Sequence, residues 1–398
     1  MQRGQATLKK QLNLHVITLI IFSAGFLGLL LRPAEAFDAA RQTLSLCINV
    51  IVPTLFPFFV FSSLLISLGF AEYAGKVAEP VMRPLFRVPG VCASAFVLGL
   101  LSGFPVGAKT AIDIYRKGLC TKTEAERMLS FCNNAGPAFI LGTVGIGIWN
   151  SSSLGWLFWG AQIAASVLTG ILMTRFWKGE ELLPGERGKS RQKIISLPAA
   201  FSEAVRGSML NVIYIAGFIL FFSIVIRLLD VYGIIPAAAE FLTRMFHSSG
   251  LPEEWFTSVL SGILEMTSGI HGFGNLPADL RNLTVCGSIL GWAGLSVHCQ
   301  VVTFICEGGL SVRPYIYGKF LQTGFSAVFT WLFARTLPSD ELSAFAGFTS
   351  YMIVDGRLSL RVFFLSAAIF LFLFSISVFI YKTISRKPKR FSKHIRKG

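Results

Sequence analysis

Charge is scarce in this sequence: 14% of its 398 residues are Asp, Glu, Lys or Arg, against 53% hydrophobic, and the mean hydropathy is +0.63. Soluble domains carry about a quarter charged residues, so that class is excluded and a polytopic membrane protein is expected. No polar stretch is long enough to fold by itself, so residues 1–398 read as one membrane domain. Metal-binding and redox patterns are missing as well. The seven cysteines are odd in number and contain no Cys-x-x-Cys pair, which suggests neither a disulfide framework nor a zinc site. No Gly-x4-Gly-Lys-Ser/Thr loop is present to cradle a nucleotide phosphate. The nearest approach to a nucleophile and base is Cys299 beside His298. Sequence neighbours on a helix point about 100° apart, which makes a poor catalytic pair. The expectation is therefore no enzyme and no cofactor.

The net charge of +15 invites a nucleic-acid reading, but the basic residues stand in short runs between apolar segments. The lipid bilayer is the expected partner, and no nucleic acid is. Such runs mark cytoplasmic loops. With the N-terminus placed inside, Lys109–Arg127, Arg175–Lys193 and Lys382–Lys397 all fall on the cytoplasmic side, as do both ends of the chain. The basic start of the chain and its first apolar stretch read as an uncleaved span, because Leu31–Ala36 only loosely resembles a signal cleavage site.

Eight stretches are long enough to cross about 30 Å of hydrocarbon. They are Leu12–Leu31, Ser45–Phe70, Met128–Trp149, Leu154–Phe176, Ser208–Leu229, Leu283–Cys306, Pro314–Leu337 and Leu360–Tyr381. Two shorter apolar pieces, Val91–Ala108 and Trp255–Ile270, are interrupted by Gly or Pro and read as re-entrant hairpins. Backbone groups unpaired in hydrocarbon cost several kcal/mol each, so such breaks persist only where protein surrounds them or they line a wet cavity.

The two interrupted pieces also match each other. Leu98–Lys109 recurs 162 residues later as Leu260–His271, with Gly269 in the place of Gly107 and His271 in that of Lys109. At nearly the same offset Glu79-x-x-x-Arg83 matches Glu240-x-x-x-Arg244, and after a four-residue shortening Ala135-Gly136 matches Ala293-Gly294. Residues 45–177 and 206–337 thus read as two repeats, and the charge-derived topology makes them inverted. The expected fold is an all-α integral membrane protein of about eight transmembrane helices plus two re-entrant hairpins in an inverted repeat. Inverted repeats with helices broken at matching positions point to a secondary transporter whose substrate sits at the repeat interface.

Polar groups at membrane depth are costly and mark candidate sites. In the first repeat these are Ser102, Lys109, Asn133 and Asn134, with Gly103 added as the site candidate at the break itself. The paired Asn residues before Gly136-Pro137 need partners for several donors and acceptors. They either line the site or join helices. The second repeat offers Thr267, Ser268, His271, His298 and Gln300 as substrate ligands. Glu265, aligned with Gly103, is the candidate for proton or cation coupling, with an ion pair to a nearby Arg as its alternative. Lys109 and His271, with the N-termini of half-helices, suit a small anionic solute.

Leu101-Ser-Gly-Phe-Pro-Val-Gly-Ala-Lys109 and Phe131-Cys-Asn-Asn-Ala-Gly-Pro-Ala-Phe139 resemble the YlbJ family of sporulation integral membrane proteins, also called SpoVV, among the nucleoside-recognition or Gate-domain proteins. The resemblance covers roughly residues 53–309. It implies a place in the outer forespore membrane, moving dipicolinate made in the mother cell toward the forespore, with a defective spore cortex when it is absent. The wider group implies passage of a nucleoside or another small solute as the alternative. A non-transporting sporulation scaffold, using the basic tail 383–398 as a lipid or protein contact, is the competing class.

Overall fold

The computed structural model describes residues 2–178, 197–247 and 250–336. The expected span Leu360–Tyr381, the tail 383–398 and the end of the loop running to Lys193 lie outside them. The described chain is helical: α1 (Gln2–Leu31), α2 (Pro33–Leu46), α3 (Val52–Ser67), α4 (Phe70–Phe86), α5 (Ala93–Ser102), α6 (Val106–Arg116), α7 (Lys122–Leu129) and α8 (Ser152–Phe176) come first. They are followed by α9 (Leu197–Val231), α10 (Ile234–Met245), α11 (Glu253–Leu264), α12 (Met266–Phe273), α13 (Leu280–Trp292), α14 (Gly294–Glu307) and α15 (Arg313–Ala334). A π-helical turn, Cys47–Ile51, joins α2 to α3, and a π-helix, Ala138–Ile148, lies between α7 and α8. The protein is an all-α membrane protein.

Apolar composition and burial separate two kinds of helix. α8 is apolar on all sides and mostly buried, so it is an internal helix. α1 and α9 are as apolar but leave rows of Leu, Ile and Phe exposed, including Leu19, Phe22, Phe26, Leu210, Ile213 and Phe221. Water would not tolerate such patches, whereas lipid does. By length and composition α8, α9 and the α13–α14 pair each suffice to cross a membrane. Two bent pairs, Val16–Leu31 with Pro33–Asn49 at 96° and Gly75–Phe86 with Gly90–Ser102 at 93°, raise the number among the described residues to five.

The second half repeats the element order of the first. α4 and α10 each start after a left-handed glycine, Gly69 (φ 84°) and Gly233 (φ 72°), and each carries an i,i+4 ion pair, Glu79–Arg83 and Glu240–Arg244. A broken hairpin follows in both cases. In α5–α6 a Cβ on Gly107 would stand 2.9 Å from the Gly99 Cα, and in α11–α12 a Cβ on Gly269 would collide with the Gly262 backbone. The arms of each hairpin therefore cross at a glycine pair, with no room for a methyl group on either side.

Two expected spans are not continuous. Met128–Trp149 leaves the α-helix after Leu129, has no regular structure through Asn133–Gly136 and re-forms as the π-helix. Leu283–Cys306 breaks at Ala293 (φ 75°) and Gly294 (φ 82°). The Ala293–Gly294 break escapes a hydropathy average because its residues are small and nearly neutral, and the Asn133–Gly136 break because the apolar residues on both sides outweigh its two asparagines. Each hairpin break packs on one of them: a Cβ on Gly103 would stand 2.8 Å from the Gly136 nitrogen, and one on Gly294 2.8 Å from the Met266 nitrogen.

Candidate functional site

Where the four interruptions meet, the chain encloses a cavity of about 920 Å³, open solvent at its mouth included. Its wall takes Ser102, Gly103 and Phe104 from the first hairpin break and Glu265, Met266 and Thr267 from the second. Thr143 comes from the π-helix, and Ser296 and Gln300 from α14. Leu46, Leu55, Ile215 and Ile219 supply apolar surface from α2, α3 and α9.

Of the residues expected at the site, Ser102, Gly103, Glu265, Thr267 and Gln300 line this cavity, and the others stand elsewhere. Lys109 donates from Nζ to Asn211 Oδ1 on α9 at 3.2 Å. His271 is exposed at the end of α12. His298 is buried, its Nδ1 2.9 Å from the Tyr315 hydroxyl and its ring edge-on to Trp292. Ser268 is held by Glu265. Asn134 donates to the Phe131 carbonyl at 3.0 Å and accepts from Gln322 Nε2. The Asn133 amide, beside the Tyr315 hydroxyl, meets no partner at hydrogen-bonding geometry, while its backbone carbonyl accepts from Lys319 Nζ at 3.2 Å. The paired asparagines thus lie one layer behind the cavity, in a buried network with Lys319, Gln322 and Gln162.

Glu265 shows how the second break is held. Its carboxylate accepts from the Thr267 N–H (3.0 Å), the Ser268 N–H (2.7 Å) and the Ser268 hydroxyl (2.9 Å), so it caps the N-terminus of α12. The half-helix donors that the sequence suggested for a solute at this break are already satisfied by the chain's own carboxylate. No ion pair with an Arg involves Glu265 among the described residues.

Several participants escape sequence reasoning. Ser296 is fully buried, lines the cavity and has a hydroxyl without a partner among the described residues. Lys319 is fully buried on α15, with its Nζ over the Phe104 ring at 5.1 Å. An ionisable residue inside the span Pro314–Leu337 was the available signal for Lys319, obscured because it stands only five residues from that span's start.

The architecture agrees with comparisons to known proteins. The Gate family model, described as nucleoside recognition, matches residues 48–152 and 212–310, one segment in each half. The sporulation integral membrane protein YlbJ of Bacillus subtilis (strain 168) is 30% identical over 352 residues, covering 82% of this chain and 85% of that protein. This chain belongs to the YlbJ family of Gate-domain membrane proteins. An uncharacterised protein of Alkalihalophilus pseudofirmus is 32% identical over 127 residues, 31% of this chain and 26% of that one. No solved structure matches. The two matched segments of this YlbJ-family chain contain both hairpin breaks and both interrupted spans, so the family pattern spans the cavity.

Proposed function

We propose that this chain is a secondary transporter that carries a small, planar, anionic solute through the cavity between its two broken hairpins. The observation that carries the reading is the cavity's position: two helix breaks, at Gly103 and Glu265, meet the interruptions at Gly136 and Gly294 around one space. Breaks at matching places in two repeats, with a solute site between them, are the plan of alternating-access carriers. Solute contacts are assigned to Ser102, Thr267, Ser296 and Gln300, with the backbone of Gly103 allowing close approach. Lys109, Asn133, Asn134, Ser268, His271 and His298 support or flank the site.

Dipicolinate, moved toward the forespore across its outer membrane, is the solute given by the resemblance to the YlbJ family. A nucleoside is the second reading. It is favoured by the absence of Lys, Arg and His from the cavity wall among the described residues and by the presence there of a carboxylate and an amide, Glu265 and Gln300. Uptake by vesicles containing only this protein separates the two. Dipicolinate accumulating above a neutral control supports the first reading; accumulation of uridine alone moves the chain to the second, and accumulation of neither favours a scaffold.

A further inference from the structure

Lys319 is the buried charge that the cavity does not explain. Gly318, which precedes it, lets α15 approach so closely that a Cβ there would overlap the Ser130 carbonyl, and this brings Lys319 into the interruption after α7. Its ammonium donates to the Asn133 carbonyl oxygen (3.2 Å) and to Gln322 Oε1 (3.0 Å) and faces the Phe104 ring. No carboxylate pairs with it among the described residues. Carbonyl oxygens freed where a helix unwinds are the ligands with which broken-helix transporters hold a coupling cation. Here one such oxygen, the Asn133 carbonyl, holds a side chain, with the Gln322 side-chain oxygen beside it. Phe104 belongs to the cavity wall, so one ring separates this charge from the solute space.

We propose that the Lys319 ammonium is a tethered cation occupying a monovalent-cation site at the α7 break, so that this transporter carries its counter-charge as a side chain and runs without an alkali ion. The inference rests on the transport reading for its consequence, but its geometry is testable without transport.

Thermal unfolding of the purified full chain is measured in choline, sodium and ammonium chloride. Wild type should unfold at the same temperature in all three, because its site is filled. Lys319→Ala opens a pocket that ammonium fits and choline does not. It should unfold earlier in choline and recover by roughly 4 °C or more in ammonium chloride. Lys319→Met fills the space with an apolar chain and should be destabilised without recovery in any salt. Equal response of Lys319→Ala to the three salts, or specific stabilisation of wild type by sodium, overturns the proposal. If Lys319→Ala cannot be obtained folded, wild-type dipicolinate uptake with choline as the only monovalent cation decides. An unchanged rate supports the tethered cation, and a fall of about tenfold or more overturns it. Ammonium-specific rescue in a protein that moves no solute would sink the transport reading and leave the cation site standing.

Discussion

Gln162 on α8 and Gln322 on α15, 160 residues apart, hydrogen-bond to each other, Nε2 of Gln322 to Oε1 of Gln162 at 3.3 Å. One stands on α8 in the first half of the chain and the other on α15 in the second, so the bond joins the two halves. Both side chains are fully buried, and each extends into the opposite half: Gln322 donates to Asn134, and Gln162 reaches the Gly287 carbonyl at 3.5 Å. Gln322 also accepts from Lys319, so it ties together more of the network than its mate.

Replacing Gln322 with Leu strands the Asn134 carbonyl oxygen and one Lys319 donor in a buried setting, a cost of about 1–3 kcal/mol for each unsatisfied group. Gln162→Leu strands less and should cost less. The double substitution should cost less than the sum of the singles, because the direct bond between the two is lost only once. Unfolding of the four proteins in detergent measures this; strict additivity would mean that the junction carries no coupling.

How much of this was legible beforehand follows from the kind of signal each residue sends. The Gly107–Gly269 and Gly136–Gly294 correspondences were open to the eye because a glycine recurring at a nearly constant offset is a backbone requirement. Gln162 and Gln322 are 160 residues apart, yet a glutamine in an apolar run has many uses and no fixed partner. Ser296 was harder still, since a serine in a membrane helix ordinarily returns its hydroxyl bond to its own backbone and leaves no trace. The interrupted helix after Leu129 was read as continuous because its unwinding depends on tertiary contacts, among them the Cys132 carbonyl lodged between Gly99 and Gly107.

The hairpin crossings give a steric prediction. Gly269→Ala places a methyl group against the Gly262 backbone, which cannot withdraw as a side chain would, and should cost about 1–3 kcal/mol or prevent recovery of folded protein. Gly217→Ala, on α9 with nothing within 4 Å of the added carbon, should be neutral or gain about 0.4–1 kcal/mol. Yield and monodispersity by fluorescence-detected gel filtration, followed by unfolding of whatever folds, compare the pair. Equal behaviour would mean that the arms do not cross as closely as described.

Glu265 separates capping from coupling. Its carboxylate satisfies two backbone N–H groups and a hydroxyl, and a Gln there turns an NH₂ toward donors that need an acceptor. Glu265→Gln should therefore destabilise the protein by about 0.5–2 kcal/mol, as loss of a helix cap does. Glu265→Asp, which keeps the charge, should recover part of this. The pH dependence of solute uptake should be the same in Glu265→Gln as in wild type. A lost pH dependence at unchanged stability would restore Glu265 to the coupling role that its place in the sequence suggested.

Ser296 and Asn134 make opposite demands on one experiment. The Ser296 hydroxyl is buried against the cavity with no partner, so it is a cost to the empty protein and a ready donor or acceptor for an occupant. Ser296→Ala should leave stability unchanged or slightly raised while weakening solute binding by about 1.5–3 kcal/mol if the hydroxyl meets a carboxylate, and about half that if it meets a neutral group. Asn134 lies behind the wall, bonded to Phe131 and Gln322, so Asn134→Ala should lower stability with affinity nearly intact. Both quantities are measured on each variant, binding by calorimetry with dipicolinate and with uridine. The size of the Ser296 effect then reports the charge of the group it touches. Should Asn134→Ala abolish binding at unchanged stability while Ser296→Ala does nothing, the solute lies in the asparagine layer and the cavity in front of it is only an approach.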